Sequence, residues 1–112
     1  MAIAHAAPGQ TVDVSPFASQ LAQHKTVALF KSQDLEVMRV VLEAGKSVPP
    51  HQVPGEITIH CLEGELEISL DDKNTVLQAG QLVFLSRGAM HGLTAVQASS
   101  ALVTIALRNG PL

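Results

Sequence analysis

Hydrophobic residues along this chain fall in short blocks, and turn-forming residues separate the blocks at intervals of about ten positions. Short apolar, β-branched blocks bounded by glycine, proline, asparagine or aspartate are typical of β-strands. The predicted strands are Thr26–Phe30, Leu35–Leu42, Ile57–Leu62, Leu66–Leu70, Thr75–Leu77, Leu82–Leu85, His91–Val96 and Leu102–Leu107. This many short strands in one chain predicts an all-β sandwich or barrel.

The residues before the first strand show little periodicity. Ser15-Pro16 predicts the start of a short helix that ends near Gln23, because serine caps helices well and proline suits the first turn. We therefore divide the chain into an N-terminal arm with a short helix, residues 1–24, and a barrel domain, residues 25–112.

The strands differ in how many of their faces are apolar. Glu65–Leu70 alternates between polar and apolar residues, so we expect one face of this strand to be buried and the other to be exposed to solvent. Leu35–Leu42 and Leu102–Leu107 are apolar on both faces, and a homodimer that covers one sheet face explains this with few assumptions. Arg39 interrupts the first of these two strands, and we expect it to form a structural ion pair rather than hold an anion inside the barrel.

Composition excludes several function classes. Seven basic and ten acidic residues, with no basic run and no Trp or Tyr, argue against nucleic-acid binding. No apolar run approaches the roughly 20 residues of a membrane helix, and the N-terminus lacks the basic region of a signal peptide. We therefore expect a cytoplasmic protein without a membrane partner. The single cysteine, Cys61, cannot form an internal disulfide.

Two stretches of the chain carry the most specific pattern. In Gly45–Gly64 and in Gly80–His91, a turn glycine leads through a short connection to a histidine, either His51 or His91, that is followed by apolar sequence. Two such stretches from separate strands can bring two imidazoles together inside one β-domain.

These stretches resemble the two motifs of the cupin superfamily, and the resemblance covers roughly residues 25–107. In the first motif Gly45, His51 and Gly64 match at the expected spacing. Val53 and Ile57 stand where the family usually has its second histidine and its glutamate.

The second motif shows the same mixture of matches and departures. Gly80, Gly88 and His91 match, while Ser86 and Ala95 replace a proline and an asparagine. The resemblance implies a double-stranded β-helix, or jelly-roll, barrel, and the fold predicted for the whole chain is this all-β barrel with the short N-terminal helix that Ser15-Pro16 indicates.

The resemblance also implies a metal, because family members usually present three histidines and a glutamate to one ion. This chain keeps His51 and His91, and Gln52, Glu56 and His60 are the nearby residues that could complete a site. For Glu56 a solvated turn, and for His60 a hydrogen-bonded or dimer-face position, are the favoured structural alternatives. One divalent ion (iron, manganese, nickel or zinc) and no cofactor at all fit the residues equally well.

The functional prediction follows from the expected barrel interior. The predicted ligand-binding residues are His51, Val53, Ile57, Ile59, Phe84 and His91, with Met38 and Met90 as further candidates. Such a pocket suits a small organic molecule that is bound directly or through a metal. The alternative is a metal-dependent dioxygenase or isomerase acting on a small molecule, and the sequence leaves open whether the protein is an enzyme.

Overall fold

The computed structural model describes residues 5–107, which form nine antiparallel β-strands after one short 3-10 helix. The strands are β1 (Val27–Lys31), β2 (Leu35–Leu42), β3 (Ser47–His51), β4 (Ile57–Glu63), β5 (Glu65–Leu70), β6 (Asn74–Gln78), β7 (Leu82–Leu85), β8 (His91–Ala95) and β9 (Ser99–Ala106). Residues 1–4 of the predicted arm and residues 108–112 of the predicted barrel lie outside the described part.

The strands form two sheets whose apolar faces enclose the core. The larger sheet has the order β1-β2-β9-β4-β7, and the smaller has the order β3-β8-β5-β6. The alternation predicted for β5 is confirmed, because Leu66 and Ile68 are fully buried while the alternating residues Glu65, Glu67 and Ser69 are partly exposed. The core cluster joins these two residues to Ile59 and Cys61 of β4, so it spans both sheets.

The all-β prediction is confirmed, but the prediction of a closed barrel is wrong. Among residues 5–107, no strand pairing connects the larger sheet to the smaller one, and each sheet therefore has two edges. The four edge strands β1, β3, β6 and β7 have at most five residues each. Short edges offer few backbone groups for further pairing, which limits the association of these open edges with other strands.

Strand β3 was not predicted, because Pro49-Pro50 reads as a turn signal in sequence. Proline cannot donate a backbone hydrogen bond, but it is tolerated where the strand lies at a sheet edge. β3 is such an edge, and its pairing with β8 shifts register between Val48 and His51. The prolines therefore limit β3 to one partner without preventing the strand.

The predicted helix is shorter than expected and begins later. A 3-10 helix spans Ala18–Gln23, without a side-chain cap at its start. Ser15 does not cap this helix, because its backbone N–H and its hydroxyl both donate to the carboxylate of Asp13 at 2.8 and 2.6 Å. These bonds lower the pKa of Asp13.

The arm is held on the outer face of the larger sheet by a buried ion pair. Arg39 Nη2 lies 3.3 Å from a carboxylate oxygen of Glu63 and donates to the backbone oxygen of Ser15 at 2.8 Å. The Phe17 ring covers the guanidinium at 3.6 Å. Arg39 therefore has the structural role expected from sequence, and it packs outside the core rather than within it.

No helix in the described range is long and apolar enough to cross a membrane.

Candidate functional site

The two motif histidines lie side by side on neighbouring strands. His51 ends β3, His91 begins β8, and the two residues are paired across the ladder between these strands. Their ring centroids are 4.5 Å apart and their planes are tilted by 50°. The expectation that the two imidazoles lie within a few ångströms of each other is therefore confirmed.

Each imidazole has the same hydrogen bond to the backbone. His51 Nδ1 lies 3.2 Å from the carbonyl oxygen of Pro49, and His91 Nδ1 lies 2.9 Å from that of Ala89. A carbonyl oxygen only accepts hydrogen bonds, so each Nδ1 must carry the hydrogen. In the neutral ring this leaves a lone pair on Nε2, and neither Nε2 has a partner within residues 5–107.

These two rings border an apolar cavity of about 180 Å³ between the sheets. His91 is 3% exposed, whereas His51 is exposed and therefore lies at the rim. The remaining wall is almost entirely aliphatic and includes Met38, Val40, Ile57, Ile59, Leu93 and Val103. An unprotonated Nε2 beside such a wall can accept a hydrogen bond or a proton from a bound molecule.

The cavity contains most, but not all, of the residues predicted to form it. His51, Ile57, Ile59 and His91 line it, as does the further candidate Met38. Val53 instead packs against the edge of the core and borders a separate depression beside Gly88.

Phe84 and Met90 require a correction, because the structure places both outside this cavity. Leu85 is buried in β7, so the alternation of the strand turns Phe84 outward, where it is 60% exposed. Phe84 and Met90 border a different groove beside the turn between β5 and β6.

Sequence reasoning missed several wall residues, including Val40, Leu93 and Val103. The signal for Val40 was available, because alternation from the inward Met38 places it on the same face of β2. Leu93 follows from His91 by the same rule.

The residues near the histidine pair do not complete a metal site. Gln52 and Glu56 are exposed in the connection between β3 and β4 and do not line the cavity. His60 lies on β4 between the inward-facing Ile59 and Cys61, so its side chain points to the opposite face of the sheet. Ile57, at the position where cupins usually have glutamate, is a buried wall residue.

Residues 5–107 contain no group of three or more His, Cys, Asp or Glu side chains that could hold a metal ion. A backbone bond at Nδ1 with a free Nε2 is a common arrangement for a metal-binding histidine, so half of a site is present. Two imidazoles alone are fewer than the three or four protein ligands of a firm site. The donor set therefore does not fit a resident metal.

Four glycines, two from each motif, allow the tight turns of these two stretches. Gly45, Gly64, Gly80 and Gly88 all have φ between 76° and 89°. This left-handed conformation is strained for residues with a Cβ atom. At Gly64 an added Cβ would also lie 2.3 Å from the backbone oxygen of Ala98, so neither the conformation nor the space admits a side chain.

Comparisons with known proteins agree with this geometry. The family model described as "Cupin domain" matches residues 38–106. A conserved protein of unknown function from Streptococcus pyogenes superimposes with a TM-score of 0.74 at 23% identity, covering 98% of this chain and 97% of that one. An RmlC-like cupin protein from Desulfovibrio desulfuricans gives a TM-score of 0.68 at 27% identity, with 92% and 98% covered.

A third solved structure similar to this chain is the DMSP lyase DddQ from Ruegeria pomeroyi. Its TM-score is 0.66 at 28% identity, and the match covers 72% of this chain and 45% of that one. No curated protein sequence matches this chain. The structural matches support the double-stranded β-helix arrangement of the two sheets.

Proposed function

The chain belongs to the cupin domain family, and from that premise we propose that its cavity binds a small, largely apolar organic molecule through the Nε2 atoms of His51 and His91. One observation carries this proposal. Both rings bond a backbone carbonyl through Nδ1, which leaves two unused acceptors beside an aliphatic cavity.

The cavity volume limits the size of the ligand. A cavity of about 150 Å³ lined by aliphatic and aromatic residues is known to bind benzene. At about 180 Å³, this cavity suits a molecule slightly larger than benzene. Its apolar wall favours a hydrocarbon body, and the paired rings of His51 and His91 offer it polar atoms.

The acceptor character of the histidine pair limits the ligand's polar group. A neutral imidazole with hydrogen on Nδ1 offers only a lone pair at Nε2, so the ligand must donate. Hydroxyl and amine groups meet this requirement. A ligand that lacks a donor would leave the pair without a bond, and we expect it to bind less tightly.

Direct binding is preferred over binding through a metal. The alternative, a metal-dependent dioxygenase or isomerase, needs a third ligand close to His51 and His91. Gln52 and Glu56 are exposed and His60 lies on the opposite sheet face, so no side chain from these positions supports it. The DMSP lyase similarity does not alter this preference, because the match covers less than half of that protein.

The matched probes phenol and toluene test the proposal. They differ by a hydroxyl in place of a methyl group, and both have seven non-hydrogen atoms. We predict that the ratio of their affinities shifts against phenol by about tenfold when both histidines are replaced, in His51→Leu/His91→Leu, because one hydrogen bond is lost. Isothermal titration calorimetry with and without EDTA measures the ratio.

Two controls accompany this titration. His60→Leu removes a histidine from the opposite face of the larger sheet and should leave the affinity ratio unchanged. EDTA should not alter phenol binding to the unsubstituted protein. The proposal is wrong if neither probe binds, if the double variant keeps the original ratio, or if binding occurs only after a divalent metal is added.

A further inference from the structure

A groove of about 230 Å³ lies beside the histidine cavity, between the end of the 3-10 helix and the turn that joins β2 to β3. Thr26 borders both this groove and the cavity, so the two spaces are neighbours. The cavity wall is almost entirely aliphatic, whereas the groove is bordered by the exposed charged residues Lys25, Glu43 and Lys46. We call it the lysine groove. The surface therefore changes from apolar to charged on passing Thr26.

The chain itself does not use the charged side chains of the lysine groove. Among residues 5–107, neither Lys25 nor Lys46 donates a side-chain hydrogen bond or forms an ion pair, and the Glu43 carboxylate has no partner either. His24, the other titratable residue at the groove, stacks on Phe17 with 3.7 Å between the ring centroids. Two lysines against one glutamate make the groove locally positive, although the whole chain has a formal net charge of -3.

Strands β3 and β8 set the distance between the histidine pair and the lysine groove. His51 pairs with His91 near one end of this ladder, and at the other end the backbone N–H of Ala95 donates to the carbonyl oxygen of Lys46 at 2.9 Å. His91 and Ala95 are four residues apart, which corresponds to about 13 Å along the strand. The apolar cavity therefore lies between two imidazoles on one side and the groove with its two ammonium groups on the other.

We propose that the molecule bound in the cavity carries an anionic group, and that Lys25 and Lys46 bind this group at the end remote from the histidine pair. This inference rests on the proposed function, because it assigns a second polar group to the same ligand. The implied class is that of small hydroxy acids. The hydroxyl donates to a histidine Nε2, the hydrocarbon body fills the cavity, and the carboxylate accepts hydrogen bonds from the lysines.

The charge of the lysine groove selects the sign of this second group. An ammonium group on the ligand would meet two like charges and one opposite charge, so the groove disfavours it. A carboxylate would meet two opposite charges and the single like charge of Glu43. Because all three side chains are exposed, each ion pair is weak and screened by salt. We therefore expect a modest preference for anions that decreases as salt is added.

Two probes of the same shape test the anionic group. The carboxylate and the amide of para-hydroxyphenylpropionic acid share a phenol end and differ only in the charge of the other end. We expect the carboxylate to bind about fivefold more tightly than the amide at low salt, as two weak ion pairs would produce. In Lys25→Gln/Lys46→Gln this preference should disappear. Isothermal titration calorimetry at low and high salt measures the ratio of the two affinities.

Two further variants serve as controls. Glu43→Gln removes the like charge from the groove and should increase the preference for the carboxylate. Lys73→Gln removes an exposed lysine from the turn between β5 and β6, outside the lysine groove, and should leave the preference unchanged. Phenol should bind the lysine double variant as tightly as the unsubstituted protein, which would show that the cavity is intact.

These measurements separate the lysine groove from the histidine site. If phenol binds through the histidine pair but the two probes bind equally well, the anionic end is wrong and the proposed function remains. The same conclusion follows if the lysine double variant keeps the preference, or if Lys73→Gln removes it equally. If phenol and both probes fail to bind, the inference and the proposed function are both wrong.

Discussion

Two pairs of polar side chains lie among the apolar strands, and they differ in how completely their hydrogen-bonding groups are used. The Glu63 carboxylate accepts bonds from the backbone N–H groups of Phe17 and Ala18, from the Ser100 hydroxyl and from Arg39. The histidine pair bonds the backbone through Nδ1 only. The chain itself saturates the Glu63 carboxylate, although Arg39 Nε is buried without a hydrogen-bond partner within residues 5–107, whereas the histidine pair keeps two acceptors free.

The surroundings of each pair match this difference. The arm encloses the Arg39–Glu63 pair. Hydrogen bonds from this pair to Ser15 and Phe17 join segments that are remote in the sequence. The histidine pair borders a cavity that the chain does not fill. Buried polar groups that are fully paired contribute to structure, whereas unused polar atoms beside a cavity indicate a ligand.

The largest expected effect comes from breaking the Arg39–Glu63 pair. Glu63→Ala would leave Arg39 buried without its counter-charge and free the two arm N–H groups. We expect the free energy of unfolding to fall by about 3 kcal/mol, as for other buried ion pairs that lose one member. Urea unfolding followed by circular dichroism measures the loss.

Two variants sharpen this result. Glu56→Ala removes an exposed glutamate and should change stability by less than about 0.5 kcal/mol. His91→Leu replaces the buried member of the histidine pair by an apolar residue and should change stability by no more than about 1 kcal/mol. Equal losses for Glu63→Ala and His91→Leu would show that the two pairs do not differ as described.

Much of the fold could be predicted because it depends on local patterns. Leu35–Leu42 and Leu82–Leu85 were predicted with the bounds that β2 and β7 have. The position of His51 beside His91 followed from motif spacing, and the inward direction of Ile57 followed from strand alternation. These features repeat within a few residues and are therefore visible in sequence.

Other features depend on contacts between distant segments. Nothing near Ser15 reveals that Arg39 and Glu63 take the neighbouring backbone groups, so the late start of the helix could not be foreseen. β3 was missed because the same Pro-Pro pair forms either a turn or an edge strand. The wall residue expected at Phe84 was misplaced because β7 is apolar on both faces, which hides its alternation.

A smaller effect is expected from acidification. Burial raises the pKa of Glu63, but bonds from Ser100, Phe17 and Ala18 and the charge of Arg39 outweigh it, so the pKa lies below its usual value. Because the pKa of Glu63 is lower in the folded state, its ionised carboxylate stabilises the protein at pH values above the unfolded-state pKa, which is about 4. This stabilisation is lost as the pH falls through the pKa of the folded state.

The comparison of the unsubstituted protein with Glu63→Gln isolates this contribution. The other carboxyl groups titrate in both proteins, so their effects cancel in the difference between the two free energies of unfolding. This difference should be largest at neutral pH and should shrink as the pH falls below about 4, because Glu63 becomes protonated. Urea midpoints measured between these conditions follow the change. A difference that stays constant or grows in acid would contradict the assigned role of Glu63.

The most direct test of the free acceptors is a long-range proton–nitrogen NMR spectrum of the histidine rings, recorded with neutral imidazoles before and after phenol is added. We predict that His51 and His91 both carry hydrogen on Nδ1 and that phenol shifts at least one Nε2 resonance. Hydrogen on Nε2 in both rings, or Nε2 resonances that do not respond to saturating phenol, would contradict the proposed binding site.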